Sequence, residues 1–174
     1  MTAGSGSNPI VAVHYHPVET SLSSALFGRV VVNKDEPVVA HRLHRNERPA
    51  LAELAAARTL VLVYPTWWGG LPGAVLGWVQ DTFREPFAAR CVDGSPIRDL
   101  EQLVVVTSYG SSRLVNCING EPGKLVLSQL VRRCTANAQL QWHACYGVDT
   151  ASRGELEGFV TGLASAVFGA GAGR

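Results

Sequence analysis

Two adjacent tryptophans stand between a proline and two glycines in the stretch Tyr64-Pro-Thr-Trp-Trp-Gly-Gly70. Proline fixes φ and turns the chain, and glycine allows a close backbone approach or unusual dihedral angles. Two large rings in such a loop are suited to contact a flat ligand. The alternative is that Trp67 and Trp68 are aromatic residues of a core or a dimer interface, which is the more common role of aromatic side chains.

A second candidate loop runs from His14 to Ser24 and carries several hydroxyl side chains at a predicted helix N-terminus. Free N–H groups and the helix dipole favour an anion there. The loop has no lysine or arginine, and it lacks the P-loop and dinucleotide-binding patterns. An N-cap with additional serines explains the loop equally well, and His16 suits either interpretation. The hydroxyl residues are Thr20, Ser21, Ser23 and Ser24.

The third candidate loop is Thr107-Ser-Tyr-Gly-Ser-Ser-Arg113, which follows a short apolar run. Its small, hydroxylated residues leave backbone N–H groups able to point at a ligand. Arg113 suits a carboxylate or phosphate contact, and equally an ordinary surface position. G-x-S-x-G is absent and no Ser-His-Asp set can be placed, which disfavours a hydrolase.

Composition excludes several other classes. The chain has 174 residues with a formal charge of +1, 47% hydrophobic and 17% charged residues, which describes one globular domain without the basic stripe of a nucleic-acid-binding protein. No apolar run approaches the roughly 20 residues that span a bilayer. The histidines lack a Cys or acidic partner set, so we expect no metal site. Four scattered cysteines predict reduced thiols and a cytoplasmic protein.

Apolar runs alternate with segments of helical periodicity along the chain, which predicts a parallel sheet with helices on both faces. We expect a flexible leader at 1–8, one domain at 9–168 and a flexible tail at 169–174. About five strands fit the α/β three-layer sandwich with strand order 2-1-3-4-5, in which ligands bind outside the carboxyl ends of the strands. The predicted strands are 9–14, 37–43, 60–64, 103–107 and 139–146, and the predicted helices are 21–32, 49–58, 72–83, 123–134 and 155–168.

The three loops together resemble the flavodoxin-like NAD(P)H:quinone oxidoreductase family, which includes DT-diaphorase and smaller bacterial flavin reductases. The resemblance rests on His16–Ala25, on Tyr64–Trp78 and on Thr107–Gly110, and it extends from about residue 11 to 168. The pattern P-x-x-W-x-x-x-P-x-x-x-x-G-W within Tyr64–Trp78 is the most specific of the three.

The resemblance implies a homodimeric flavoenzyme that transfers hydride from NAD(P)H through a bound flavin to a quinone or similar small electrophile. The shortness of the chain favours FMN over FAD. The flavin phosphate would lie at His16, Thr20, Ser21, Leu22 and Ser23, the isoalloxazine at Pro65, Thr66, Trp67, Trp68 and Gly69, and its pyrimidine end at Thr107, Ser108, Tyr109 and Gly110. Tyr109, Trp68 and Arg113 are the residues we expect to act in catalysis.

The sequence departs from the family at several positions. Leu76 replaces the usual lysine, Gln80-Asp81 replace an Asp-Arg pair, and the Tyr/His pair that relays protons in DT-diaphorase has no match between Asn116 and Gly123. An alternative is therefore a degenerate flavin-binding or scaffold protein with weak or lost reductase activity. The sequence leaves open the acceptor, the choice between NADH and NADPH, and the choice between FMN and FAD.

Overall fold

The computed structural model describes residues 10–16, 21–31, 37–89 and 93–168. For 85–89 and 164–168 it describes the backbone alone. The expected leader, the expected tail and Thr20 lie outside the described residues.

Five parallel strands form one sheet in the order β2-β1-β3-β4-β5, which confirms the predicted topology. Parallel strands covered on both faces are continuous apolar runs, and β1, β3 and β4 have that composition and are buried over almost all their length. β2 lies at one edge and is only partly buried, as is β5 at the other edge. The strands are β1 Ile10–His14, β2 Val38–Arg42, β3 Thr59–Pro65, β4 Gln102–Tyr109 and β5 Gln139–Tyr146.

Six α-helices and one short 3₁₀ turn, Leu43–Arg45, are present in the described part of the chain. α3 extends six residues beyond the predicted end and continues through Pro86, because an internal proline forfeits a backbone hydrogen bond and kinks a helix without having to end it. The helices are α1 Leu22–Val31, α2 Leu51–Ala56, α3 Gly73–Ala89, α4 Arg113–Ile118, α5 Pro122–Cys134 and α6 Arg153–Phe168.

Two apolar layers hold the helices against opposite faces of the sheet. Alternate residues of β3 pack into the two different layers, since successive side chains of a strand point to opposite faces of the sheet. Leu60 and Leu62 pack in the layer that contains α2, α3 and α5 residues, whereas Val61 and Val63 pack in the layer that contains α1 and α6 residues. The result is the predicted three-layer sandwich, with β3 at its centre.

Within the described ranges, no helix is long and apolar enough to cross a membrane. The same ranges contain no group of three or more His, Cys, Asp or Glu side chains that could hold a metal ion.

The central position of β3 makes its buried side chains sensitive to truncation. We expect Leu62→Ala to lower the free energy of unfolding by about 2–5 kcal/mol, because the cavity left in a two-sided core cannot close fully. Urea unfolding followed by circular dichroism measures the change. Leu51→Ala on the exposed face of α2 is the control and should shift stability by less than about 0.5 kcal/mol. Equal effects of the two variants would contradict the central role of β3.

Candidate functional site

The carboxyl ends of β1, β3, β4 and β5 meet at one edge of the sheet. β3 is joined to β4 as far as the pair Pro65 and Ser108, and β4 to β5 as far as Tyr109 and Tyr146. Just beyond β1, the backbone N–H of Tyr15 donates to the carbonyl of Val63 at 3.0 Å. The three loops singled out in the sequence therefore emerge side by side.

Thr66 fixes the loop after β3 against the end of β4. Its backbone N–H and its hydroxyl both donate to the carbonyl oxygen of Ser108, at 2.9 and 2.8 Å. This double contact continues the strand pairing by one residue beyond Pro65, which cannot donate a backbone hydrogen bond. The tryptophans that follow thus begin from a defined position.

The two tryptophans occupy a tight turn. Trp67 and Gly70 exchange backbone hydrogen bonds of 3.1 and 2.9 Å, and the residues between them have positive φ, 53° at Trp68 and 75° at Gly69. Two central residues with positive φ are the mark of a type I′ turn, which glycine and asparagine favour. A tryptophan in the left-handed region is uncommon, and it carries a conformational cost of roughly 1–2 kcal/mol.

Neither indole ring is part of the core. Trp67 is 47% exposed and Trp68 is fully exposed, at 103%. The ring of Trp67 contacts Tyr15 edge to face, with 5.9 Å between ring centroids. The core interpretation of these residues is therefore wrong for this chain, whereas a ligand contact and a protein interface both require this outward placement.

Serine hydroxyls organise the first turn of α1. The Ser21 hydroxyl accepts a hydrogen bond from the backbone N–H of Ser24 at 3.2 Å, so Ser21 caps the helix. It also contacts the hydroxyls of Ser23, at 3.0 Å, and Ser24, at 3.2 Å. Ser23 is buried and lies 3.4 Å from Nε2 of His14. The capping interpretation is thus confirmed for Ser21, and the same hydroxyls stand at the helix N-terminus.

Burial decides the protonation state of His14. The side chain at the end of β1 stacks on Phe27 with 4.8 Å between centroids. Burial, with the nearby positive charges of His44, His16 and Arg42, lowers the pKa of His14 to about 4. The imidazole is therefore neutral at physiological pH.

Asn116 in α4 holds the loop after β4. The helix itself was not predicted, because six residues carry too little periodicity to identify. The buried side-chain amide of Asn116 donates to the carbonyls of Ser111, at 3.2 Å, and Ser112, at 2.8 Å, and to the Ser111 hydroxyl at 3.0 Å. A single side chain thereby fixes the loop, and Arg113 begins α4 exposed to solvent.

The loop after β5 joins the site, although the sequence reasoning did not include it. The backbone N–H of Gly147 donates to Ser111 at 2.9 Å, and that of Val148 donates to Tyr109 at 3.0 Å. A side chain at Gly110 would collide with the carboxylate of Asp149. Because β5 is parallel to its neighbours, the rule that places ligands at strand carboxyl ends would have identified this loop too.

Two stacked tyrosines lie beneath these loops. The rings of Tyr109 and Tyr146 are nearly parallel, with 4.9 Å between centroids, and Tyr109 is buried. The Tyr146 hydroxyl donates to the carboxylate of Glu121 at 2.5 Å. Burial, followed by the hydrogen bond to Glu121 and the charge of that carboxylate, raises the pKa of Tyr146 to about 12. Burial also raises the pKa of Tyr109.

The predicted site residues thus fall into three groups. Trp67 and Trp68 project outward, Thr66 directly follows β3, and Thr107 and Ser108 lie in the last part of β4. The second group consists of His16 after β1 and Ser21, Leu22 and Ser23 at the start of α1. The third contains Tyr109, whose ring is buried, together with Gly110 and Arg113, which are exposed.

A sequence model for a family described as having a flavodoxin-like fold matches residues 10–133. No curated protein sequence matches the chain.

Solved structures with the same fold extend over nearly the whole chain. A Streptococcus mutans UA159 protein, Smu.1420, has a TM-score of 0.75 at 17% identity, over 91% of this chain and 97% of that one. An NAD(P)H:quinone oxidoreductase from Methanothermobacter marburgensis has a TM-score of 0.72 at 17% identity, over 92% and 95%. An FMN-dependent NADH-azoreductase from Bacillus anthracis str. Ames Ancestor, in complex with FMN, has a TM-score of 0.69 at 13% identity, over 91% and 97%. At these identities the likeness establishes the fold.

The conformation of Trp68 predicts a stabilising substitution. Trp68→Asn should raise the free energy of unfolding of the ligand-free protein by about 1 kcal/mol, because Asn-Gly is the favoured type I′ pair and the exposed ring loses no packing. Urea unfolding measures this change in the free energy of unfolding. Trp67→Asn is the matched control and should destabilise, since it removes the contact with Tyr15. A loss of stability in Trp68→Asn as large as in Trp67→Asn would show that the Trp68 ring packs against the protein.

Proposed function

The chain belongs to the family with the flavodoxin-like fold, and from this premise we propose that it is an NAD(P)H-dependent flavin oxidoreductase that reduces a quinone or a similar small electrophile. The observation that carries the proposal is the exposed indole pair on a strained turn at the carboxyl edge of the sheet. Strain of this kind persists at sites where it serves a function. The solved structures named as an NAD(P)H:quinone oxidoreductase and an FMN-dependent NADH-azoreductase support the same class of reaction.

The residues at this edge fit a flavin mononucleotide unit. The capped N-terminus of α1, with Ser21, Leu22 and Ser23 and with His16 before it, suits a phosphate group. The outward rings of Trp67 and Trp68 suit an isoalloxazine, with Pro65, Thr66 and Gly69 shaping the loop that carries them. Thr107, Ser108, Tyr109 and Gly110 would border its pyrimidine end. A flavin held by these residues would supply hydride transfer between NAD(P)H and the acceptor.

We assign distinct roles to the three proposed catalytic residues. Trp68 would flank the slot that nicotinamide and acceptor occupy in turn, because its ring is the most exposed of the set. Arg113 would contribute positive charge at the edge of that slot, where its charge already acts on Tyr146. Tyr109 would act by holding the loop, through its stacking on Tyr146 and its bond from Val148, so that backbone N–H groups face the flavin.

The same edge carries an apolar surface that we propose as a homodimer interface. Leu114 and Ile118 are 71% and 77% exposed and lie four residues apart, on one face of α4. Leu125 and Val126 in α5 are also exposed. Pro122, at the start of α5, lies next to Gly69 of the tryptophan turn, so the surface adjoins the proposed flavin site. Exposed apolar residues grouped in this way are typical of an interaction surface.

A double substitution tests the interface. We expect Leu114→Glu with Ile118→Glu to convert a dimer into a monomer, because charged side chains resist burial in an apolar contact. Sedimentation velocity measures the oligomeric state. The control is Leu51→Glu, an equally exposed leucine on α2, which should leave the dimer intact. A wild-type protein that sediments as a monomer would contradict the proposal.

We also propose a reducing, cytoplasmic location. Cys117, Cys134 and Cys145 are free thiols, and no disulfide joins cysteines within the described residues. Free thiols persist in compartments kept reducing by glutathione and thioredoxin.

The absorbance spectrum of the purified protein tests the function directly. We expect a bound flavin, identified as FMN or FAD by chromatography after release, and NADPH-dependent reduction of menadione by the loaded protein. Trp68→Ala should weaken flavin binding about tenfold, because a base-sized stacking contact on an aromatic side chain contributes about 1–3 kcal/mol. A conservative Trp68→Phe variant should retain most of the affinity.

Two other results would change the proposal. A protein that stays colourless after incubation with FMN and FAD would overturn it. A protein that binds flavin but does not reduce menadione, ferricyanide or an azo dye with NADH or NADPH would favour the flavin-binding or scaffold alternative. The departures from the family pattern at Leu76 and around Asn116 motivate that alternative.

A further inference from the structure

The first turn of α5 packs against the tryptophan turn, which consists of Trp67-Trp-Gly-Gly70. A β-carbon added at Gly69 would lie 3.8 Å from Cδ of Pro122, the first residue of α5. A β-carbon added at Gly123, which is buried, would lie 3.5 Å from the carbonyl carbon of Gly70. Both separations are van der Waals contacts. The position of the turn therefore depends on where α5 begins.

Glu121, the residue immediately before α5, has a strained backbone. Its φ of 42° lies in the left-handed region, which glycine adopts most easily. Gly120 before it also has a positive φ, 77°. A second glycine would suit this backbone better, because a β-carbon is unfavourable in the left-handed region. Strain of this kind, kept at a glutamate, indicates that the side chain has a function.

The Glu121 side chain does not cap its own helix. Polar N-cap residues usually accept hydrogen bonds from the first backbone N–H groups of a helix, and the structure contains no such bond from α5 to Glu121. The carboxylate instead accepts a hydrogen bond from the hydroxyl of Tyr146 at 2.5 Å and lies 3.7 Å from Nζ of Lys124. The Glu121 side chain is only 13% exposed, so little water competes for the bond from Tyr146.

Tyr146 provides a rigid anchor for this hydrogen bond. It is the last residue of β5, and the strand register places it beside Tyr109, on which its ring stacks. Burial, followed by the hydrogen bond to Glu121, raises the pKa of Tyr146 to about 12. The hydroxyl therefore keeps its proton at physiological pH and remains a donor. The bond thus ties the start of α5 to the sheet.

We propose that Tyr146 and Glu121 are positioning residues for the flavin ring. Their hydrogen bond fixes the start of α5, and the start of α5 fixes the tryptophan turn through Pro122 and Gly123. The inference rests on the proposed function, because that function assigns the tryptophan turn to the isoalloxazine. A site whose binding-competent position is only partly populated binds its ligand more weakly by that fraction.

Removal of one hydroxyl tests the hydrogen bond and keeps the stacked ring. We expect Tyr146→Phe to weaken FMN binding by about fivefold to tenfold in calorimetric titration, because the tryptophan turn loses its fixed position. Glu121→Ala should have the same effect, and the double variant no larger one, since either substitution removes the same bond. Glu121→Gln should retain most of the affinity, because its amide oxygen still accepts from the hydroxyl.

Ser128→Ala is the matched control. The Ser128 hydroxyl donates to the carbonyl of Lys124 at 2.7 Å, so this variant also removes one hydroxyl hydrogen bond from α5. The contact of α5 with the tryptophan turn stays intact, and FMN affinity should remain within about twofold. Equal weakening by Ser128→Ala and Tyr146→Phe would show that the affinity follows general damage to α5, which would overturn the proposal.

Fluorine resonances of protein labelled with fluorotryptophan report on the turn without flavin. Single Trp→Phe substitutions assign the signals. In Tyr146→Phe we expect the signal of Trp67 to shift or broaden, because its ring contact with Tyr15 depends on the position of the turn. The signal of Trp78, which is buried in the core, should not move. A merely structural role of Tyr146 would lower the free energy of unfolding and leave the Trp67 signal unchanged.

If Tyr146→Phe fails to fold, as judged by circular dichroism, Glu121→Ala replaces it in both measurements. The inference is overturned if the variant binds FMN within twofold of wild type, or if the Trp67 signal does not move. A protein that binds no flavin, but whose Trp67 signal moves in Tyr146→Phe, would overturn the proposed function and leave the link between Glu121 and the turn. A protein that binds FMN and reduces menadione, with both readouts unchanged in Tyr146→Phe, would overturn only this inference.

Discussion

The burial of β3 between two helical layers is the constraint on which the rest of this structure depends. Because its side chains are apolar on both faces, the strand can bury all of them only within a sheet that helices cover on each side. Parallel pairing with β1 and β4 then brings their carboxyl ends to one edge. The candidate site lies at that edge because the core places the strand ends there.

The loops at this edge are fixed by a small number of polar contacts. Thr66 is tied to Ser108, Asn116 holds the loop after β4, and Tyr146 anchors Glu121 at the start of α5. The first two of these contacts satisfy backbone carbonyls of the loops, and the third joins two side chains. They make the loops definite structures, and that rigidity allows two indole rings to be displayed in solvent rather than collapse onto the core.

Several groups near this edge cost stability in the folded chain. Trp68 adopts a backbone conformation that tryptophan rarely takes, and its ring buries nothing against the protein. Nδ1 of His14 and the hydroxyl of Tyr109 are buried with no hydrogen-bond partner among the residues that the structure describes. Local features that oppose stability tend to occur at functional sites, where a ligand compensates for them. Of these groups, Trp68 lies in the turn that the proposed flavin site includes.

The sequence by itself determined the strands, the larger helices, the strand order and the three loops around Ser21, Trp67 and Tyr109. Hydrophobic runs and helical periodicity are local properties, so they can be read without knowing what a segment contacts. Only the tertiary structure decided that Trp68 lies outside the core, that Asn116 holds the third loop and that Arg42 joins His14 at one pocket. Each of these depends on residues distant in sequence, and pairing across the chain is set by packing rather than by any pattern within one segment.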